Sequence, residues 1–183
     1  MKKQGLCLAA GFIVLTALWV SRPTTRVKAD GELLIGAWMV TTSAATPPGT
    51  PPIVFAELAT FNAGGTWSDT HAIAHNSENP FAPPPVAVDS SDAYGSWRRL
   101  NDSNQFEITL KRLLFAGPNT PAALYGPFFP GQHVGFETVN AVLTVQPDGT
   151  FQGPFTVEFA NLGGQVVFAD TGAVSAARLA VGH

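Results

Sequence analysis

The sequence predicts an all-β chain, an antiparallel up-and-down barrel of about eight strands behind an N-terminal leader. Three observations carry that expectation. Runs of alternating apolar and polar residues recur from Leu33 to about Leu179, with no convincing helical periodicity among them. Short turn signals separate most of these runs. One stretch, Asn140 to Phe168, also specifies its own register. Its turn, Gln146-Pro147-Asp148-Gly149-Thr150, joins a proline that presets φ to a glycine that supplies a left-handed residue, so Val145 should face Phe151. Val139, Ala141, Leu143 and Val145 then share an apolar face with Phe151, Gly153, Phe155, Val157 and Phe159. Thr138, Asn140, Thr144, Gln152, Thr156 and Glu158 fall on the opposite face.

At the N-terminus, residues 1–29 read as a signal peptide and residues 30–183 as one barrel domain. Lys2 and Lys3 precede an apolar run from Leu6 to Val20, and Val27-Lys28-Ala29 presents small residues where a signal peptidase cuts, so cleavage before Asp30 is the favoured reading. The run is 15 residues long, short for a full membrane span. Arg22, Arg26 and Lys28, between the run and the cut, suit the alternative of a retained anchor. The leader contains five of the ten basic residues and none of the 13 acidic ones, which leaves the mature chain with a formal charge of −8. Such a chain is repelled by nucleic acid and by anionic membrane surfaces. Cys7 leaves with the leader, so the mature protein has no thiolate, no disulfide and only its core to hold it together.

The strand-like runs are Leu33 to Thr42, Ile53 to Phe61, Thr66 to Ile73, Tyr94 to Leu100, Gln105 to Ala116, His133 to Val145, Thr150 to Asn161, and Gln165 to about Leu179. Asn62-Ala63-Gly64-Gly65, Asn101-Asp102-Ser103-Asn104 and Gly163-Gly164 supply further turns. Three connections are long and proline-rich: Ser43 to Pro52, Ala74 to Ala93, and Gly117 to Gln132. The last is the expected lid, because Leu124, Tyr125, Phe128 and Phe129 are too apolar for a solvated loop.

Gly36-Ala37-Trp38 at the start of the first strand and a lone Arg178 near the end of the last resemble the signature of the calycin superfamily: the lipocalins, avidins and fatty-acid-binding proteins. That resemblance implies a barrel whose first-strand tryptophan packs at the closed end against a basic side chain of the last strand. The chain departs from the lipocalin pattern in having no mature cysteines and no long C-terminal helix. Closure alone brings the first and last strands together, which would let Arg178 stack on Trp38. A two-residue Gly163-Gly164 turn sets Phe159 opposite Phe168 and carries Arg178 inward, whereas a three-residue turn sets Phe159 opposite Val167 and sends it to solvent. Gly-x-Trp also recurs at Gly65-Thr66-Trp67 and Gly95-Ser96-Trp97, where glycine relieves crowding beside a bulky ring.

Candidate chemistry is sparse. If the Asn62–Thr66 turn repeats the register of Gln146–Thr150, Glu57 faces His71, a carboxylate and an imidazole that could act as general acid and base. A four-residue loop would slide that pairing by one and turn Val54, Ala56 and Leu58 inward instead. His133 and Glu137 extend the inward row of Val139 and Ala141, but four residues along a strand span about 13 Å, so each needs its own partner. Arg112 extends the inward row of Phe106, Ile108 and Leu110, either to hold a ligand carboxylate or to snorkel out of the barrel end. With a four-residue turn Trp97 faces Ile108 and Arg99 faces Phe106. His71 and His75 share a helical metal-ligand spacing in a segment that is not helical, and no phosphate loop or nucleophile elbow is present, so neither a metal nor a cofactor is implied.

The leading expectation is therefore an exported, non-enzymatic barrel that binds a small, largely apolar molecule, with Phe55, Trp67, Trp97, Arg112, Phe155 and Phe159 as the lining. A barrel isomerase or cyclase resembling the allene-oxide-cyclase-like barrels, with Glu57 and His71 moving a proton, is the alternative. A packed interaction domain without a cavity is the third reading. N-terminal sequencing of the exported protein should begin at or near Asp30, and recovery of residues 1–29 on most of it would favour the anchor.

Overall fold

The computed structural model describes residues 33–44, 52–71, 76–79, 82–101 and 103–179. The leader, Cys7, Ile73, His75 and His183 lie outside the described residues, as does the side chain of His71. The strands are β1 (Gly36–Ala44), β2 (Ile53–Phe61), β3 (Thr66–His71), β4 (Asp89–Ser90), β5 (Ala93–Arg99), β6 (Gln105–Phe115), β7 (His133–Val145), β8 (Phe151–Asn161) and β9 (Val166–Arg178). β1, β2, β3, β5, β6, β7, β8 and β9 pair in sequence, each pair antiparallel. β9 pairs back onto β1 from Trp38 opposite Arg178 to Ala44 opposite Gly172, which closes an eight-stranded barrel. The two-residue β4 continues the line of β5 along β6.

The turns decide the registers. Gln146 N–H donates to Thr150 O at 2.7 Å, Gly149 takes a φ of 82°, and Val145 pairs with Phe151 as expected. The Asn62 turn repeats this pattern, so Phe61 pairs with Trp67, Ala59 with Asp69 and Glu57 with His71; Val54 and Leu58 face outward. The Asn101–Asn104 turn gives Trp97 opposite Ile108 and Arg99 opposite Phe106. The Gly163-Gly164 turn reaches the expected register by a different route. Asn161 N–H donates to Gln165 O at 3.0 Å, a three-residue loop, and the extra residue Val167 then bulges so that Phe159 meets Phe168. Three-residue loop and bulge together restore the parity of a two-residue turn.

One end of the barrel is solid. Trp38, Phe61, Trp97, Phe106, Leu143 and Phe151 are buried there, with Phe61 stacked on Trp67 at 5.0 Å and Phe151 against Trp38 at 4.9 Å. The Arg178 guanidinium lies 4.5 Å over the Trp38 ring, and Trp38 Nε1 donates to Leu34 O at 2.8 Å. Arg178 also donates to Ile35 O, and to Leu33 O at 2.8 Å, so one exposed side chain ties the segment before β1 to β9. Gly36 makes room for it: with φ at 131°, a side chain there would be strained and its Cβ would lie 2.6 Å from Arg178 Nη1. Gly95 serves the same end differently, because the Trp67 indole crosses directly over it.

The other end is capped, and not by the expected lid. Residues 76–79 and 82–88, in two short 3₁₀ turns, cover the barrel mouth. The Gly117–Gln132 connection folds back as its composition requires, but onto a second apolar cluster of Val88, Leu114, Ala116 and Val134 beside the mouth, with Tyr125 buried and Leu124 and Phe128 packed against it. Phe129 is 80% exposed. This connection buttresses the cap: Tyr125 Oη donates to Pro85 O at 2.6 Å, and Thr120 Oγ1 to Ala87 O at 2.7 Å. Among the described residues of these two connections, only those of the cap line the interior.

Phe151 and Phe155 both line the cavity, but Phe151 packs against Trp38 and Phe61 at the solid end and is 2% exposed, whereas Phe155 is 6% exposed. Phe151→Ala should therefore destabilise by about 3 to 5 kcal/mol and Phe155→Ala by less. Equal or inverted losses in urea unfolding would mean that the interior around Phe155 is filled.

Candidate functional site

Between the solid end and the cap lies a cavity of about 610 Å³. Its wall is apolar over most of the barrel, with Phe55, Trp67, Phe155, Phe159 and Phe168 among the lining residues. Trp97, expected in the lining, is instead part of the solid end, its indole N–H shared between Asn62 O and Thr66 O at 3.2 and 3.1 Å.

One part of the wall is ionic. Arg112, on β6, is 3% exposed and points inward, so it neither snorkels nor stands free. Its Nη1 donates to Glu137 Oε1 at 2.8 Å; its Nη2 donates to Asp69 Oδ2 and, at 3.1 Å, to Glu57 Oε1. Thr42 Oγ1 donates to Glu57 Oε2 at 2.6 Å. Arg112 and Glu137 are cross-strand partners on β6 and β7, but the other contacts cross the barrel interior to β3 and β2. They can do so because Ala93, which faces Asp69 on the intervening β5, presents almost no side chain.

The charges do not balance. Three carboxylates surround one guanidinium, and Asp170 adds a fourth carboxylate to the cavity wall. Burial, with Glu57 next and Glu137 and Asp92 adding to it, pushes the Asp69 carboxyl up to about 7 against the opposing pull of Arg112. Burial likewise raises Glu137, although Arg112 pulls it down. Two polar atoms of the cluster, Asp69 Oδ1 and Arg112 Nε, are buried without a protein partner. Glu137 Oε2 meets no donor among the described residues. No group of three or more acidic, histidine or cysteine side chains among the described residues is arranged for a metal ion. In this cluster the guanidinium supplies the central positive charge.

Glu57 and His71 are brought opposite each other along the backbone, but the Glu57 carboxylate is already engaged by Arg112 and Thr42. Glu137 is inward as expected and finds its partner in Arg112. His133 is not inward. The bulge between Leu114 and Phe115 pairs His133 with Phe115 on the outer face, where its ring packs against Phe115 and Phe136. Asp69 is the residue that sequence reasoning did not mark. Its signal was its place in the inward row of β3, between two positions already under consideration, Trp67 and His71.

No protein-family model matches the chain, and no curated protein matches it in sequence.

Because the folded state holds a proton on Asp69 up to about pH 7, while the unfolded chain releases it near the ordinary aspartate value, stability should fall as pH rises across that interval. The thermal midpoint should be higher at about pH 5 than at about pH 8, and Asp69→Asn should narrow the gap. A gap unchanged by Asp69→Asn would place the titration elsewhere.

Proposed function

We propose that this chain is an exported, calycin-like binding protein that carries a small, largely apolar molecule inside its barrel. The observation that supports this most directly is the cavity of about 610 Å³, within the range of small-molecule sites, with an aromatic wall and a few convergent polar groups. A barrel of eight strands filled only for structural reasons would have no use for that space. The packed, cavity-free reading is disfavoured on the same ground.

Native mass spectrometry of protein purified from its own host should find a small molecule bound at one per chain. Ala141, on the cavity wall, offers the control: Ala141→Phe fills the space and should abolish the adduct. A protein that carries no adduct and takes up no apolar fluorescent probe would refute the reading.

A proton-moving isomerase or cyclase is the second reading. What favours it is the Asp69 carboxyl, titrating near 7 against an apolar cavity, in the range where a general acid works best. In this version the pair is Asp69 and Glu137, not Glu57 and His71. Incubation of the extracted ligand with fresh protein separates the two: a carrier returns it unaltered, and an enzyme converts it.

A further inference from the structure

We propose that the molecule in the cavity bears a protonated amine, docked against Glu137 and Asp69 beside the Arg112 cluster. This rests on the binding reading above and specifies its ligand. The charged groups on the described cavity wall are four carboxylates, Glu57, Asp69, Glu137 and Asp170, against the single guanidinium of Arg112. An anionic head group would meet that surplus of negative charge, and both terminal Arg112 nitrogens are already bonded to Glu57, Asp69 and Glu137, which leaves it Nε as the unpartnered guanidinium donor. A neutral head group leaves the imbalance as it is. A primary ammonium brings one positive charge and three donors to a site whose unpartnered atoms are two carboxylate oxygens, Glu137 Oε2 and Asp69 Oδ1, against one guanidinium nitrogen, Arg112 Nε. Both side chains are more than nine-tenths buried, so an ion pair formed there is poorly screened. The apolar remainder of the ligand would lie along Phe155, Phe159 and Phe168.

Binding then carries a proton signature. The groups facing Asp69 are Glu57 from β2, Arg112 from β6, Glu137 from β7 and Asp92 from the segment before β5. Below about 7 Asp69 holds its proton, so an arriving ammonium must displace it to solution; above that value the carboxylate is already ionised. Affinity for the cation rises with pH through this interval and levels off until the amine itself deprotonates.

Octylamine, octanol and octanoate share one apolar chain and differ only in the head, so they can be titrated calorimetrically into the chain after denaturing delipidation and refolding. At about pH 8 octylamine should bind at least tenfold more tightly than octanol, with octanoate weakest, and the ratio should approach one near pH 5. At about pH 6, two buffers of different ionisation heat should report proton release with the amine alone. Glu137→Gln, which keeps size and shape, should reduce the amine-to-alcohol ratio, and Asp69→Asn should remove its pH dependence. Octanol or octanoate binding as tightly as the amine would overturn the amine assignment and leave the binding reading standing. Failure of all three ligands to bind refolded protein would overturn both.

Discussion

A guanidinium taken out of water without counter-charge costs several kcal/mol, and Arg112 lies deep inside the barrel. Its burial is tolerable only because β2, β3 and β7 each turn a carboxylate toward it at one level of the barrel. That level depends on the β2–β3 and β6–β7 registers at once. A one-residue slip in the Asn62 turn would send Glu57 outward while Asp69 stayed inward, and a slip between β6 and β7 would send Glu137 outward. Removing Arg112 would leave three buried carboxylates facing one another, so the cluster acts as a lock on the registers as well as a feature of the cavity.

The same constraint explains why the interior is divided. Toward the solid end the inward positions are aromatic and aliphatic, and they interdigitate without polar groups to satisfy. At the level of the cluster the side chains are tied to one another across the cavity wall, so they cannot collapse inward to fill the space. Small residues enforce the division. Ala93, opposite Asp69 on β5, leaves the path that Arg112 takes, and Gly172 lies under the Phe155 ring, where a Cβ would come within 2.5 Å of it. Above the cluster the proline-rich cap is held from outside, where Tyr125 and Thr120 bond its carbonyl groups.

What could be read from the sequence followed the length of the connections. Where a turn of three to five residues joins two strands, turn chemistry and period-two alternation agree, and Val145–Phe151, Phe61–Trp67 and Trp97–Ile108 come out in register. The inward direction of Arg112 and Glu137 was legible for the same reason. Their meeting was not, because β6 and β7 are joined by Gly117–Gln132, which carries no register information, and a bulge at Leu114/Phe115 displaces His133 as well. Asp69 was hidden differently: a single carboxylate in an alternating strand looks the same whether its face is wet or buried. Only the closed barrel, which brings β6 across to β3 and β2, gives it a partner.

An apolar set of side chains of the same volume would very often be more stable than a buried ion cluster, and this one is also incomplete. Asp69 Oδ1 and Arg112 Nε are without partners, and the acids outnumber the base. A third buried atom without a partner, Ser77 Oγ, lies in the cap above. The solid end satisfies its polar atoms, from the Trp38 indole to the two carbonyls that hold Trp97. Local consistency therefore fails at the cluster that borders open space and in the cap over it, and not at the solid end; a fold that is otherwise internally consistent is expected to give up stability at a site. The physical content of that site is a surplus of carboxylate oxygen at the wall of an otherwise apolar, aromatic-lined cavity, and the proposed ligand, with a positive charge and an apolar body, complements both parts.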